Sequence, residues 1–303
     1  MISIILCSRN AHITSELNNN IQNTIGVEYE LIVVDNSKNK YSIFSAYNEG
    51  VKRAKFPFLC FMHDDILFHT SDWGRKVINH FQNTKVGLIG TMGSHFMPKT
   101  PIGWYQSRVT SGGGLQRVFK NGKYSVEKQM DLIYLKDKLS IEGVVVDGLW
   151  FCIPKSMFSL VSFDELTFKG FHCYDLDICL QIRNAGFQVY IISDILIEHF
   201  SSGSFTTDWV KNTVLFFEKW KDQLPQVAGV ELSSEEMTVR NDLVAETFIW
   251  MEAYIQCKTE LESVRRSKAY RIGKYVIMPF KYIRGFSDII KLNNSHNSNN
   301  HKK

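Results

Sequence analysis

The apolar run Phe58 to Met62 has the length of a strand and passes directly into His63-Asp64-Asp65. Buried strands of parallel sheets read this way. In open α/β sheets the ligand site lies beyond the carboxyl ends of the strands. Two adjacent carboxylates there repel each other and need a proton or a cation. A hard divalent ion with oxygen ligands meets that need and can itself hold a phosphate. The plainer alternative is a solvated turn in which Asp65 is a cap. Two other groups could do chemistry. Asp175-x-Asp177 stands at the start of a helical pattern. A carboxylate at that place caps the helix or, aimed into a crevice, takes a proton from a hydroxyl. Helical residues turn by about 100° each, so Asp175 and Asp177 cannot both serve one site. Glu198-His199 ends a short β-branched run, and an imidazole beside Asp65 extends a metal site.

The elements around these groups alternate. Ile2 to Leu6, Glu30 to Val34 and Phe58 to Met62 read as strands, each ending in polar residues. Helix-length segments, Thr14 to Ile25 and Tyr41 to Ala54, lie between them. This order predicts βαβ units and a parallel sheet, with Arg9, Asp35 and Asp65 converging on one crevice. A helix over Asp72 to Asn83 and a strand over Val86 to Ile89 follow. Residues 91 to 130 are rich in Gly, Pro, Trp and Tyr and include Ser111-Gly112-Gly113-Gly114, which suggests a long irregular substrate loop. Asp147-Gly148 interrupts the apolar run Val144 to Ile153; the break implies close approach of a ligand, or equally a bulge with a satisfied Asp. The spacing then predicts a helix over Tyr174 to Ala185 with Leu176, Leu180 and Arg183 along one side and Gly186 past its end. Strands over Gln188 to Ile192 and Ile195 to Ile197 come next, and a helix from Thr207 or Asp208 through Trp220.

The chain has 303 residues, 44% hydrophobic and 22% charged, enough for one large domain and an appendage. A net charge of +4 argues against a nucleic-acid binder. Six cysteines without C-x-x-C spacing read as buried thiols in a reducing compartment. The apolar N-terminal run is too short for a signal sequence, and no stretch has the length of a membrane span, so a cytoplasmic protein is expected. Ser233 to Glu236 fits a capping box opening a helix to about Ser267, with Leu243, Val244, Phe248, Met251, Tyr254, Ile255 and Leu261 as its apolar face. That face, within 234–264, would meet the main domain or a second copy. Residues 265–284 mix Arg and Lys with Tyr, Phe, Ile and Met, a composition suited to an anionic membrane surface, with a solvated basic face and then nucleic acid as the alternatives. The last residues are polar and low in complexity, and disorder is expected.

Residues 1 to 222 resemble an inverting glycosyltransferase of family 2 with the GT-A fold, in the bacterial subgroup that has H-x-D in place of D-x-D. Val33-Val-Asp-Asn-Ser37 resembles the family's nucleoside-binding segment, and Ala46-Tyr-Asn-Glu-Gly50 its N-x-G helix beside the donor. Phe61-Met-His-Asp-Asp65 resembles its metal motif. His172 to Gly186 resembles its E-D-x-D-L-x-x-R-x-x-x-G helix, and Glu198-His199-Phe-Ser-Ser-Gly-Ser204 its late H-x-S segment. Two positions depart: His63 stands for the first Asp of D-x-D, and Tyr174 for the Glu before the base.

The resemblance implies an α/β catalytic domain over 1–222, a mostly parallel sheet with helices on both faces. The residues beyond it read as a helical extension over 223–268 and a basic aromatic segment with a disordered tail over 269–303. The resemblance also implies a nucleotide-sugar donor, a UDP-sugar first, and a saccharide or lipid-linked acceptor. Asp175 is then the catalytic base. Asp65 and His199 hold Mn²⁺ or Mg²⁺, and Arg9, Asp35, Asn48, Asp64, Asp147 and Gly148 line the donor site. The expected role is bacterial surface polysaccharide or glycolipid synthesis at the inner face of the membrane. A catalytically inactive nucleotide-sugar scaffold and a sugar nucleotidyltransferase are the rivals. The second lacks its glycine-rich start after the first strand.

Overall fold

A computed structural model describes residues 1–112, 115–120, 123–128, 138–201, 205–268, 270 and 272. Two compact units divide the chain, Met1–Trp250 and Met251–Lys303. In the first, the chain runs β1 (Ile2–Ser8), α1 (Ser15–Thr24), β2 (Tyr29–Asp35), α2 (Ile43–Arg53), β3 (Phe58–Met62), β4 (Ile66–Phe68), α3 (Trp73–His80) and β5 (Val86–Gly90). Short strands follow: β6 (Met92–Ser94), β7 (Phe96–Met97), β8 (Thr110–Gly112), β9 (Leu115–Lys120), β10 (Lys123–Lys128), β11 (Ser140–Gly143) and β12 (Val145–Val146). The chain ends this unit with β13 (Trp150–Pro154), α4 (Tyr174–Asn184), β14 (Gln188–Ile192), β15 (Ile197–His199), α5 (Thr207–Trp220), β16 (Gln226–Val227) and the start of α6 (Ser234–Arg266).

The central sheet has seven strands in the order β11-β14-β5-β13-β3-β1-β2. Five of them, β2, β1, β3, β5 and β14, run in one direction, while β13 and β11 run against it. The sheet is mostly parallel, as expected, and β13 is the reversed strand at its centre. The break at Asp147-Gly148 is a turn at the carboxyl edge, from which the chain enters the sheet backwards, with Trp150 opposite Met62. An apolar run carries no mark of its direction, so the reversal is invisible in composition.

Strand alternation sorts the core onto two faces. Ile5, Leu59, Phe61, Phe151 and Ile153 join Phe44 and Tyr47 of α2, the inward face of α4, and Phe216 and Trp220 of α5. Ile4, Leu6, Cys60, Met62, Trp150 and Cys152 join Leu17 and Ile21 of α1 and Trp73 and Val77 of α3. Hydroxyl caps set the helix starts: Thr14 accepts from Leu17 N, Ser42 from Ser45 N and Thr206 from Trp209 N. Helix α4 is buried nearly all round, including Leu176, Ile178, Cys179, Leu180 and Ile182, rather than along one side as expected. The cause is its place between the sheet and α5.

Residues 91–112 are not the irregular loop their composition suggests. Strands β6 and β8 pair antiparallel, with β12 on the other side of β6, and the residues of all three are buried. Gly112 has φ +117°, and a Cβ there would overlap the Thr91 carbonyl, so glycine serves close strand approach here rather than flexibility. Gly113 and Gly114 lie outside the described residues.

The capping box forms as expected at α6: Glu236 N donates to Ser233 Oγ at 3.1 Å, and Ser233 N to the Glu236 carboxylate at 2.8 Å. The inward stripe is narrower than the predicted face. Within the first unit Val244 is buried and Phe248 half-buried, while Leu243 is exposed. In the second unit Ile255 is buried, and Tyr254 and Leu261 are exposed. Most of the segment 269–303 lies outside the described residues. Among those that are described, no helix is long and apolar enough to cross a membrane.

Asp177 turns away from the carboxyl edge into a polar knot. Its carboxylate receives Lys219 Nζ at 2.7 Å, Trp220 Nε1 at 2.8 Å and Gln181 Nε2 at 2.7 Å, with 1% of its side chain exposed. Removing one partner of a buried pair strands the others. Asp177→Ala is therefore expected to lower stability by about 3 kcal/mol, read as a drop in the urea midpoint at unchanged slope.

Candidate active site

The carboxyl ends of β2, β1 and β3 lie side by side, because Ser8 pairs with Asp35 and β1 is bonded to β3. Arg9 follows β1 directly and is exposed. Asp35 is exposed too. A hydrogen bond from the Ser37 backbone N–H holds its carboxyl below the usual range. The Asp64 carboxylate accepts from Ser8 Oγ, which ties the loop after β3 to the end of β1. Arg9, Asp35 and Asp64 thus share one edge of the sheet.

Strand pairing brings His199 to Asp65. Strand β15 runs antiparallel to β4 with His199 opposite Ile66, and Phe200 N donates to Asp65 O at 3.0 Å. His199 Nε2 stands 3.4 Å from Asp65 Oδ1, and His63 Nδ1 3.8 Å from the same oxygen. One ligand atom from each of His63, Asp65 and His199 lies within 4.8 Å of the others. Burial works to raise the Asp65 carboxyl. Hydrogen bonds from His199 and Ser201, with the nearby imidazoles, outweigh it and hold the group at about 2. Burial, and then the neighbouring His199, push the His63 imidazole down, which favours its neutral, ligating form. Two imidazoles beside an ionised carboxylate are a donor set that fits a divalent cation.

A second cluster adjoins this one. Tyr174 Oη lies 2.9 Å from His63 Nε2 and donates to the Gly148 carbonyl at 3.0 Å. Asp175, on the next residue, accepts from Gly148 N at 2.9 Å and from Leu176 N at 3.0 Å. It is not the helix cap, a place held by Cys173 at φ 68° with no side-chain bond. Burial, then the Asp147 charge, push the Asp175 carboxyl up to about 7, while the backbone N–H groups of Leu176 and Gly148 restrain it. Asp147 is itself bracketed, by Trp104 Nε1 at 2.9 Å and Leu149 N at 2.8 Å. The satisfied Asp at a bend, one of the two readings of the broken apolar run, describes this geometry. Gly148 is constrained by the protein itself: a Cβ would overlap the Tyr174 hydroxyl.

The Asn48 amide is engaged by a loop of the chain itself. It donates to Phe163 O at 2.8 Å and accepts from Phe163 N at 3.2 Å, so both ends clamp the loop 163–165. The helical position beside the donor segment gave no warning of this use. Three residues enter that the sequence did not assign. His63 was visible as the first residue of H-x-D, but its ligand role needed the geometry. The Tyr174 hydroxyl had no signal beyond the departure at its position. Trp104 emerged from a stretch read as loop.

The sequence matches the profile described as "Glycosyltransferase like family" over residues 3–221. No curated protein matches it. Among solved structures it is similar to A197 from STIV, at 14% identity and TM-score 0.39, over 66% of this chain and 86% of that one. It is also similar to GalNAc-T7, solved with UDP, GalNAc and Mn²⁺, at 11% identity and TM-score 0.46. That likeness covers 73% of this chain and 49% of the GalNAc-T7 chain. The mannosyltransferase PcManGT from Pyrobaculum calidifontis, in complex with GDP-Man and Mn²⁺, is similar at 10% identity and TM-score 0.44, over 90% of this chain and 83% of that one.

The electrostatics give a direct expectation. In ¹³C spectra of the side-chain carboxyls, the Asp175 carboxyl should titrate near pH 7. Asp147→Asn removes the negative neighbour and should move that titration to lower pH. An Asp175 midpoint unmoved by the substitution would show that burial alone sets it.

Proposed function

The chain belongs to the glycosyltransferase-like family, and on that premise we propose a metal-dependent, inverting transfer of a sugar from a nucleotide-diphosphate sugar to an acceptor hydroxyl. The catalytic part is the GT-A domain of about residues 1–222, within which the family match ends at 221. One observation carries the reading. On either side of the His63–Tyr174 contact, one carboxyl (Asp65) is held at about 2 and another (Asp175) is pushed up to about 7. Environments that drive two carboxyls apart assign them different work.

Asp65 remains ionised and belongs to the cation. His63, Asp65 and His199 would hold it, with Asp64 beside them fixed by Ser8. Two imidazoles with one carboxylate suit Mn²⁺ better than Mg²⁺, which prefers oxygen and water. Bound there, the ion would neutralise the diphosphate and the charge developing on the departing nucleotide. The same donor set serves non-haem iron oxygenases on other folds. Here the family and the neighbouring Asp175 support phosphate chemistry instead.

Asp175 is poised to exchange a proton near neutral pH, where a general base is most effective. It takes the acceptor's hydroxyl proton as the oxygen attacks the anomeric carbon from the side opposite the nucleotide, which inverts that carbon in one displacement. The Gly148 and Leu176 N–H groups hold the carboxylate still for that transfer. Arg9 and Asp35, exposed at the ends of β1 and β2, would take the nucleoside. The acceptor belongs to a surface polysaccharide or glycolipid. Residues 265–284, most of them outside the described residues, would bring the enzyme to an anionic membrane surface. An inactive scaffold has no use for a carboxyl poised near 7 beside a cation site.

Incubation with a panel of nucleotide sugars and Mn²⁺ should release nucleoside diphosphate from one donor class; binding without release would favour the scaffold. Asp175→Asn is expected to lose turnover by on the order of 10²–10⁴ with donor affinity kept, and an equal loss of donor affinity would remove it from the base role. Asp65→Ala should abolish stimulation by Mn²⁺ along with turnover. A variant still stimulated would count against the ligand assignment.

A further inference from the structure

We propose that Tyr174 is a positioning residue that keeps the proton of His63 on Nε2, so that the bare Nδ1 faces Asp65 as a metal-binding nitrogen. The inference rests on the cation site proposed above and concerns how this chain prepares it. The tyrosine hydroxyl has one proton. Its two polar neighbours are the Gly148 carbonyl at 3.0 Å, which can only accept, and His63 Nε2 at 2.9 Å. With the hydroxyl proton on the carbonyl, the oxygen can only accept from the ring, so Nε2 carries hydrogen and Nδ1 does not. The Nδ1 side is the one 3.8 Å from Asp65 Oδ1. An imidazole ligand is commonly oriented in this way by a hydrogen bond at its other nitrogen.

The heavy atoms of the relay are held in place. The Tyr174 ring is 4% exposed and sits among Tyr47, Phe44 and Phe151, with centroids 5.5, 6.3 and 6.4 Å away. His63 is fixed at its backbone by donation to Leu149 O at 3.0 Å. Gly148 leaves room for the hydroxyl. The two departures from the family pattern thereby become one device. A carboxylate at position 63 would bind a cation whichever way it is approached, whereas a histidine needs its tautomer set. The tyrosine at 174 sets it.

The test uses the full metal-free chain. Long-range ¹H–¹⁵N spectra at a pH where His63 is neutral should show a protonated Nε2 and a bare Nδ1. Tyr174→Phe should give a mixture of tautomers and weaken Mn²⁺ binding, measured by calorimetry, about 10–100-fold. In a His63→Asp chain, whose carboxylate has no tautomer, adding Tyr174→Phe should cost nothing further. If Tyr174→Phe does not fold, Gly148→Ala displaces the same hydroxyl and should weaken Mn²⁺ likewise. A wild-type His63 protonated on Nδ1, unchanged Mn²⁺ affinity in Tyr174→Phe, or an equal loss in the His63→Asp background would overturn the inference while leaving the cation site standing. No Mn²⁺ binding by the wild type would overturn both.

Discussion

The backbone of Gly148 is the constraint on which the site depends. Its N–H holds the Asp175 carboxylate and its carbonyl receives the Tyr174 hydroxyl, which in turn meets His63. The residues on either side extend the same hold. Asp147 N donates to Met92 O at 2.8 Å, Trp104 Nε1 donates to the Asp147 carboxylate, and the Leu149 carbonyl receives His63 N. One short turn thus joins the cation motif, the proposed base and the segment around Trp104. Backbone groups do this work well, because they are held by the sheet and have no rotamers to lose. The turn stands at the carboxyl edge because β13 enters the sheet there, antiparallel to β3.

Burial acts on Asp65 and Asp175 alike, and the partners decide the outcome. Desolvation raises both Asp65 and Asp175. Asp65 meets imidazoles and a hydroxyl, which overcome the penalty. Asp175 meets a second carboxylate, which adds to it, and only backbone N–H groups oppose it. The same physical penalty therefore leaves an ionised carboxylate at the proposed ligand and a raised carboxyl at the proposed base. Asp177, two residues from Asp175, shows the third outcome: it is turned by the helix into a structural pairing with Lys219.

The strand ends were legible in the sequence because buried strands end abruptly in polar residues. Phe58 to Met62 and Gln188 to Ile192 were bounded as observed. The opposite orientations of Asp175 and Asp177 followed from helical geometry alone. The juxtaposition of His199 and Asp65 followed only as far as the resemblance carried it, since nothing local tells β15 to lie against β4. The direction of β13 was hidden, because hydrophobicity is the same read either way. Asn48 shows the opposite limit: a motif position names a residue type, while the bonds of its amide are decided by the loop that reaches it. Tyr174 was visible as a departure, but a missing carboxylate says nothing of what a hydroxyl in its place will touch.

The central claim is a cation held by His63, Asp65 and His199 at the carboxyl edge of the sheet. Its most direct test is an anomalous difference map at the manganese edge, from crystals of the full chain grown with Mn²⁺ and a nucleoside diphosphate. The account predicts one strong peak within bonding reach of His63 Nδ1, an Asp65 carboxylate oxygen and His199 Nε2, with diphosphate oxygens beside it. A peak at other residues, or diphosphate bound at this edge with no metal, would contradict it.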